Sequence, residues 1–184
     1  TYHVELQIDG DLHVDATSRV DANGCGWADA NAPGPGYPSI GYRAGSHGGL
    51  AEDAGTAVCY GSIRRPVLSG SGNRSASINV GGGVIRLNVD GTSTIDGTVS
   101  ANGLDAYWDA AAGGSVWIST RRLRGTGGIT ANGGYSWALT YGAGGGGRVA
   151  VWLTAPGEDF GGFPVTNITA YGAKRKGTTK NERV

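Results

Sequence analysis

The chain has 184 residues, long enough for one domain with a substantial core. Its 15 basic and 15 acidic side chains cancel, so no long-range field draws in nucleic acid or an anionic membrane. Glycine supplies 36 positions, nearly three times the roughly 7% average, yet apolar residues recur too regularly for a disordered chain, and no run approaches the roughly 20 residues of a membrane span.

Strand signals open the chain. Val4, Leu6 and Ile8 alternate with polar residues, Asp9-Gly10 turns, and Leu12 and Val14 alternate again. Arg19-Val20 then runs into the first of three Ala-Asn-Gly tripeptides, Ala22-Asn23-Gly24. The segment from 25 to 60 is the longest irregular excursion and carries Trp27, Tyr37, Tyr42, Arg43 and His47. Cys25 and Cys59 bracket it, and a bridge between them would staple the loop; two separate thiols are the alternative. Gly61 to Val80 reads as an imperfect unit, with Ile63, Val67, Leu68, Ile78 and Val80 apolar.

From Gly81 the pattern becomes regular. Gly81-Gly82-Gly83 runs into Val84-Ile85-Arg86-Leu87, and Ile85 to Val89 reads as one strand. Asp90-Gly91 turns, Ser93-Thr94-Ile95 is a second short strand, and Asp96-Gly97 turns again before Ala101-Asn102-Gly103. The next cluster, Gly113-Gly114-Ser115-Val116-Trp117-Ile118, leads to Ala131-Asn132-Gly133; the last, Gly145-Gly146-Gly147-Arg148-Val149-Ala150-Val151, leads to a degenerate Ala170-Tyr171-Gly172. Two signals recurring together at about thirty residues mark a stacked repeat. Leu104 to Ala112 is the best helical candidate and is short. Residues 1–184 read as a single domain, closed by a basic tail over 173–184.

These Ala-Asn-Gly corners and Gly-Gly-x-Val starts resemble those of the glycine-rich, pectate-lyase-like right-handed parallel β-helix of large extracellular surface proteins and adhesins. The resemblance implies an all-β fold, a β-solenoid of about four to five coils with long glycine-rich excursions on one side. It also implies a structural asparagine ladder at Asn23, Asn102 and Asn132, because stacked amides bond from one repeat to the next. A secreted, cell-surface location follows from the same resemblance. The function it implies is a structural or adhesive module, part of a larger surface protein or a filament assembled end to end. A polysaccharide-binding module, lyase or hydrolase is the alternative.

The chemistry-bearing residues are few. Tyr42, Arg43 and His47 are the best candidates for a lyase's base and charge stabiliser, although spacing in one loop is no signature. Asp29, Glu52, Asp53, Asp105 and Asp109 lie in excursions with nothing to pair them as a glycosidase needs. Asp9, Asp11, Asp15 and Asp21 could offer oxygens to calcium, but no calcium-binding spacing accompanies them, so no metal or other cofactor is expected. Trp27, Trp108, Trp117, Trp137 and Trp152 are candidate carbohydrate contacts or structural ladders, with Trp117 and Trp152 facing outward by alternation and Arg86 near their column. Asn73 and Asn167 begin glycosylation sequons. Partners are expected to be other copies, extracellular structural proteins or a polysaccharide, with no nucleic acid and no membrane insertion. The strand from Tyr2 to Ile8 lacks a polar cap, so its edge calls for a cover from more protein or from another copy.

Overall fold

The computed structural model describes residues 2–28, 43–52, 57–73 and 79–177. Among these described residues nine strands form: β1 (His3–Ile8), β2 (Leu12–Val14), β3 (Arg19–Asp21), β4 (Val84–Ile95), β5 (Thr98–Ser100), β6 (Ser115–Arg124), β7 (Gly128–Thr130), β8 (Arg148–Leu153) and β9 (Ile168–Thr169). They make two separate parallel sheets. One has five strands in the order β1-β4-β6-β8, with β2 also beside β4; the other has four in the order β3-β5-β7-β9. This overturns the expected β-solenoid of four to five coils. The repeat brings equivalent strands together, but the glycine-rich stretches between them do not continue as strands around a coil.

Alternation sets which side chains meet between the sheets. Val4, Ile85, Val116 and Val149 share one register position, and Leu6, Leu87, Ile118 and Val151 the next. Ile85, Leu87, Val116 and Ile118 are fully buried and meet Val99 and Ile129 of the smaller sheet in one core cluster. Burying one such side chain stabilises by about 1.5–3 kcal/mol. Phe163, also buried, fills the same cluster from the segment that follows β8. The expected turn at Asp90-Gly91 is absent: β4 runs on through it for 12 residues, with an irregularity in register between Val89 and Thr92. A bulge suffices here because Asp11 accepts the Thr92 N–H at 2.6 Å and holds the bend within the ladder.

The glycine clusters do something else. They gather into a slab with almost no side chains, joined by backbone hydrogen bonds. Gly82 N–H donates to Ala112, Ala112 to Ser71, Gly113 to Gly145 and Gly145 to Gly45. The described part of the excursion is threaded into this slab, Gly48 and Gly49 both donating to Gly146, and the segment after it joins through Gly70, which donates to Gly82. Over its described residues near Gly45 to Gly49 it therefore packs along the stack. Glycine is required by close approach. A Cβ on Gly113 would lie 2.1 Å from the Ala131 carbonyl oxygen, and one on Gly82 would lie 2.0 Å from that of Ala101.

The two recurring motifs are linked by the same packing. Gly83, Gly114 and Gly147, each the last glycine before a strand, donate to the carbonyls of Ala22, Ala101 and Ala131 at 2.7–2.8 Å. The alanines are buried, and their small side chains let the corner close on the slab. Leu104 to Ala112 is not helical. Among the described residues of Gly61 to Val80 no strand forms: Ile63, Val67 and Leu68 are exposed, and an isolated bridge joins Val80 to Ala28.

Candidate functional site

The outer face of the five-stranded sheet carries an open cleft. Strand alternation sends Glu5, Arg86 and Trp117 outward in one register column and Gln7, Asn88, Ser119 and Trp152 in the next. Arg86 lies over the Trp117 ring, 4.5 Å from its centroid, and donates to Glu5 at 2.7 Å. The ion pair is partly exposed and fixes the Arg86 plane more than it stabilises the fold. Beside this column, Gln7, Asn88, Val89, Asp90, Ser119, Arg121 and Thr154 line an open cleft of about 500 Å³. Amides, hydroxyls, a carboxylate and a guanidinium thus share its walls.

The segment that leaves the long excursion, residues 60–68, crosses the same face. Ser115 donates to the Leu68 carbonyl at 2.6 Å, Arg148 to Tyr60 at 2.8 Å and Trp152 Nε1 to Arg64 at 3.0 Å. The last bond sets the orientation of an indole that remains 46% exposed at the end of the amide column. Sequence alternation finds Trp117 and Trp152, but it does not reveal the strap at 60–68 that anchors Trp152.

The other tryptophans are elsewhere. Trp27 is half-buried beside the slab, its backbone N–H donating to Gly70. Trp108 meets Tyr107 and Tyr141 edge-on at 4.8 and 4.7 Å, and Trp137 meets Tyr135 at 4.8 Å. Ala106 and Ser136 form a parallel bridge, which sets Tyr107 beside Trp137 on a second exposed aromatic face. The five candidate contacts therefore divide among three places.

His47 sits inside the slab and is fully buried. Its Nδ1 lies 2.8 Å from the Gly113 carbonyl, its ring packs 4.5 Å from Tyr60, and Nε2 has no partner among the described residues. Burial holds the imidazole down to about 4, so it is neutral at pH 7. Burial also pushes the Tyr60 phenol up, and its hydroxyl donates to the Ser69 carbonyl at 2.7 Å. Held by slab backbone and the Tyr60 ring, His47 packs here as part of the interior. Arg43 is half-buried and Tyr42 falls outside the described residues.

One further expectation is corrected, and the two sequon asparagines are engaged in hydrogen bonds. Cys25 and Cys59 are both free; the Cys25 thiol donates to the Asn23 carbonyl at 3.4 Å and Cys59 is exposed. Asn73 is buried, donating to the Asp109 carbonyl and accepting from Asn79 N–H at 2.9 Å. Asn167 donates to the Thr126 and Gly127 carbonyls at 3.0 and 2.9 Å. Asn23, Asn102 and Asn132 form a column in which Asn23 Oδ1 accepts the Asn102 N–H at 2.5 Å and Asn102 Oδ1 accepts the Asn132 N–H at 2.7 Å.

The aspartates follow the same habit. Asp11 and Asp21 accept backbone N–H groups, and no cluster of three metal-ligating side chains occurs among the described residues. Within those residues no helix is long and apolar enough to cross a membrane. No family model matches the chain, and comparisons with curated proteins and with solved structures find no match either.

Proposed function

We propose that this chain is a non-catalytic adhesive module of an extracellular surface, and that it holds a hydroxyl-rich glycan across the outer face of the five-stranded sheet. The cleft lined by Gln7, Asn88, Ser119, Asp90 and Arg121 carries this reading. Each amide offers both donors and acceptors, which suits neighbouring sugar hydroxyls that do the same. The exposed Trp152 indole offers a flat apolar face at the end of that column. Binding without turnover follows from the lining: among the described residues Asp90 is its one carboxylate, whereas glycosidases use an opposed pair.

Calorimetry against neutral and acidic polysaccharides tests the proposal. Wild-type protein is expected to bind at least one of them and release no new sugar ends. Asn88→Ala and Trp152→Ala are each expected to weaken binding by about tenfold, the scale of one or two lost hydrogen bonds or one ring contact. Trp137→Ala, on the separate aromatic face, is expected to bind as wild type. Binding lost with Trp137→Ala and kept with Asn88→Ala would move the site to the Tyr107–Trp137 face. Release of sugar fragments, or no binding at all, would overturn the reading.

A further inference from the structure

Among the described residues β1 pairs with β4 alone. Its inward side chains occupy the same register positions as fully buried ones, yet Leu6 is 40% exposed where Leu87 and Ile118 are at 0%. Among the described residues, backbone groups and apolar side chains on this edge both lack a cover, the combination that recruits another strand.

The asparagine column narrows what that strand can be. Asn102 and Asn132 each give their N–H to the asparagine oxygen of the preceding repeat, and Tyr171 gives its own to Asn132 at 2.8 Å. Asn23 breaks the series: its N–H donates to Asp21 Oδ1 at 2.7 Å. A preceding repeat of the same kind would need that N–H, and it is already taken. At the other end Tyr171 has no amide oxygen to pass on. Head-to-tail continuation is therefore unsupported at both ends of the column.

We propose that β1 is a self-complementary interface at which two copies of this chain join about a two-fold axis. Such an axis pairs the two edges antiparallel, and its chemistry can be read from the strand. Centred on Leu6, it sets Leu6 against Leu6 of the second copy, Val4 against Ile8, Glu5 against Gln7 and His3 against Asp9. Apolar residues meet apolar residues on the inner face. On the outer face a carboxylate meets an amide and an imidazole meets a carboxylate. No like charges oppose, which antiparallel pairing would penalise. The edge strand of the smaller sheet has the same property: β3 reads Arg19-Val20-Asp21, so a two-fold at Val20 sets Arg19 against Asp21. The result is one closed dimer joined through a first strand, not an open fibre.

Sedimentation of the full chain over a concentration series is the test. Wild type is expected to shift from monomer to dimer and to stop there. Leu6→Lys places two ammonium groups face to face and is expected to weaken association by about 100-fold or more. Leu6→Cys in a Cys59→Ser background guards against misfolding of the lysine variant. The two introduced thiols would face each other across the axis, so mild oxidation is expected to give a cross-linked dimer, whereas Gln7→Cys, which faces Glu5, gives far less. A wild type that stays monomeric, a ladder of trimers and larger species, or equal cross-linking from both cysteine positions would overturn the proposal. None of these readouts depends on glycan binding.

Discussion

Two regions of this molecule are dry, and they are built on opposite principles. Between the sheets, large side chains fill the space: Ile85, Leu87, Ile118 and Leu123 have no exposed surface. In the slab, Gly82, Gly113 and Gly145 pack backbone against backbone, with their N–H groups bonded to carbonyls of other segments. The first region draws on the hydrophobic effect and tolerates loss of a methyl group by leaving a cavity. The second draws on satisfied backbone groups, whose desolvation would otherwise cost about 1–3 kcal/mol each. It has no slack in the direction of growth, because any added carbon meets backbone. One chain can therefore be robust to shrinking in one region and intolerant of enlargement in another.

The sharpest way to break this contrast is to add one carbon to the slab and remove three from the core. Gly113→Ala would place Cβ within 2.7 Å of the Ala131 oxygen and carbon and of Gly147 N. It is expected to cost more than about 4 kcal/mol or to prevent folding. Leu87→Ala is expected to cost about 2–5 kcal/mol and leave a folded protein. Gly10→Ala, which meets nothing within 4 Å, is expected to change stability by less than about 0.5 kcal/mol. Urea denaturation of the three variants orders them, and an unaffected Gly113→Ala would end the slab argument.

The next largest effect is in pH dependence. His47 titrates near 4 in the folded protein against an ordinary 6.5, so between these values the unfolded chain binds the extra proton. Stability is then full above about pH 6.5 and falls as pH drops toward 4, by an amount of the order of 3 kcal/mol. His47→Gln is expected to flatten that part of the curve relative to wild type, measured as the urea midpoint at successive pH values. A curve of unchanged slope would show that the ring does not titrate inside the slab. The smallest effect belongs to the corner that joins the two regions. Asn102→Ala removes the acceptor for Asn132 N–H and is expected to cost about 1–2 kcal/mol, with Asn102→Asp, which keeps an oxygen there, costing less. Equal losses for both variants would mean that the amide acts through packing alone.

Much of the larger sheet is legible in the residues. The alternation of Val4, Leu6 and Ile8, and of Ile85, Leu87 and Val89, is a local property of extended backbone, so it predicts strands and their inward faces without tertiary information. The repeat of about thirty residues then places like beside like, as the registers of β4 with β6 and of β6 with β8 record. Less of the candidate site is legible. Asn88 and Ser119 read as ordinary outward polar residues, and the strap at 60–68 that orients Trp152 has no periodicity to announce it.

By itself, then, the amino-acid order determined which segments are extended, which side chains point to a common interior, and that successive repeats lie alongside one another. Folding in three dimensions decided the division into two sheets, the threading of the excursion through the glycine clusters, the burial of His47 and the separation of Cys25 from Cys59. The physical reason is that alternation is written in side chains, whereas close approach of two backbones leaves only a glycine. That residue looks the same in sequence whether it turns a loop or, like Gly113, lies against another chain segment with no room for a single carbon.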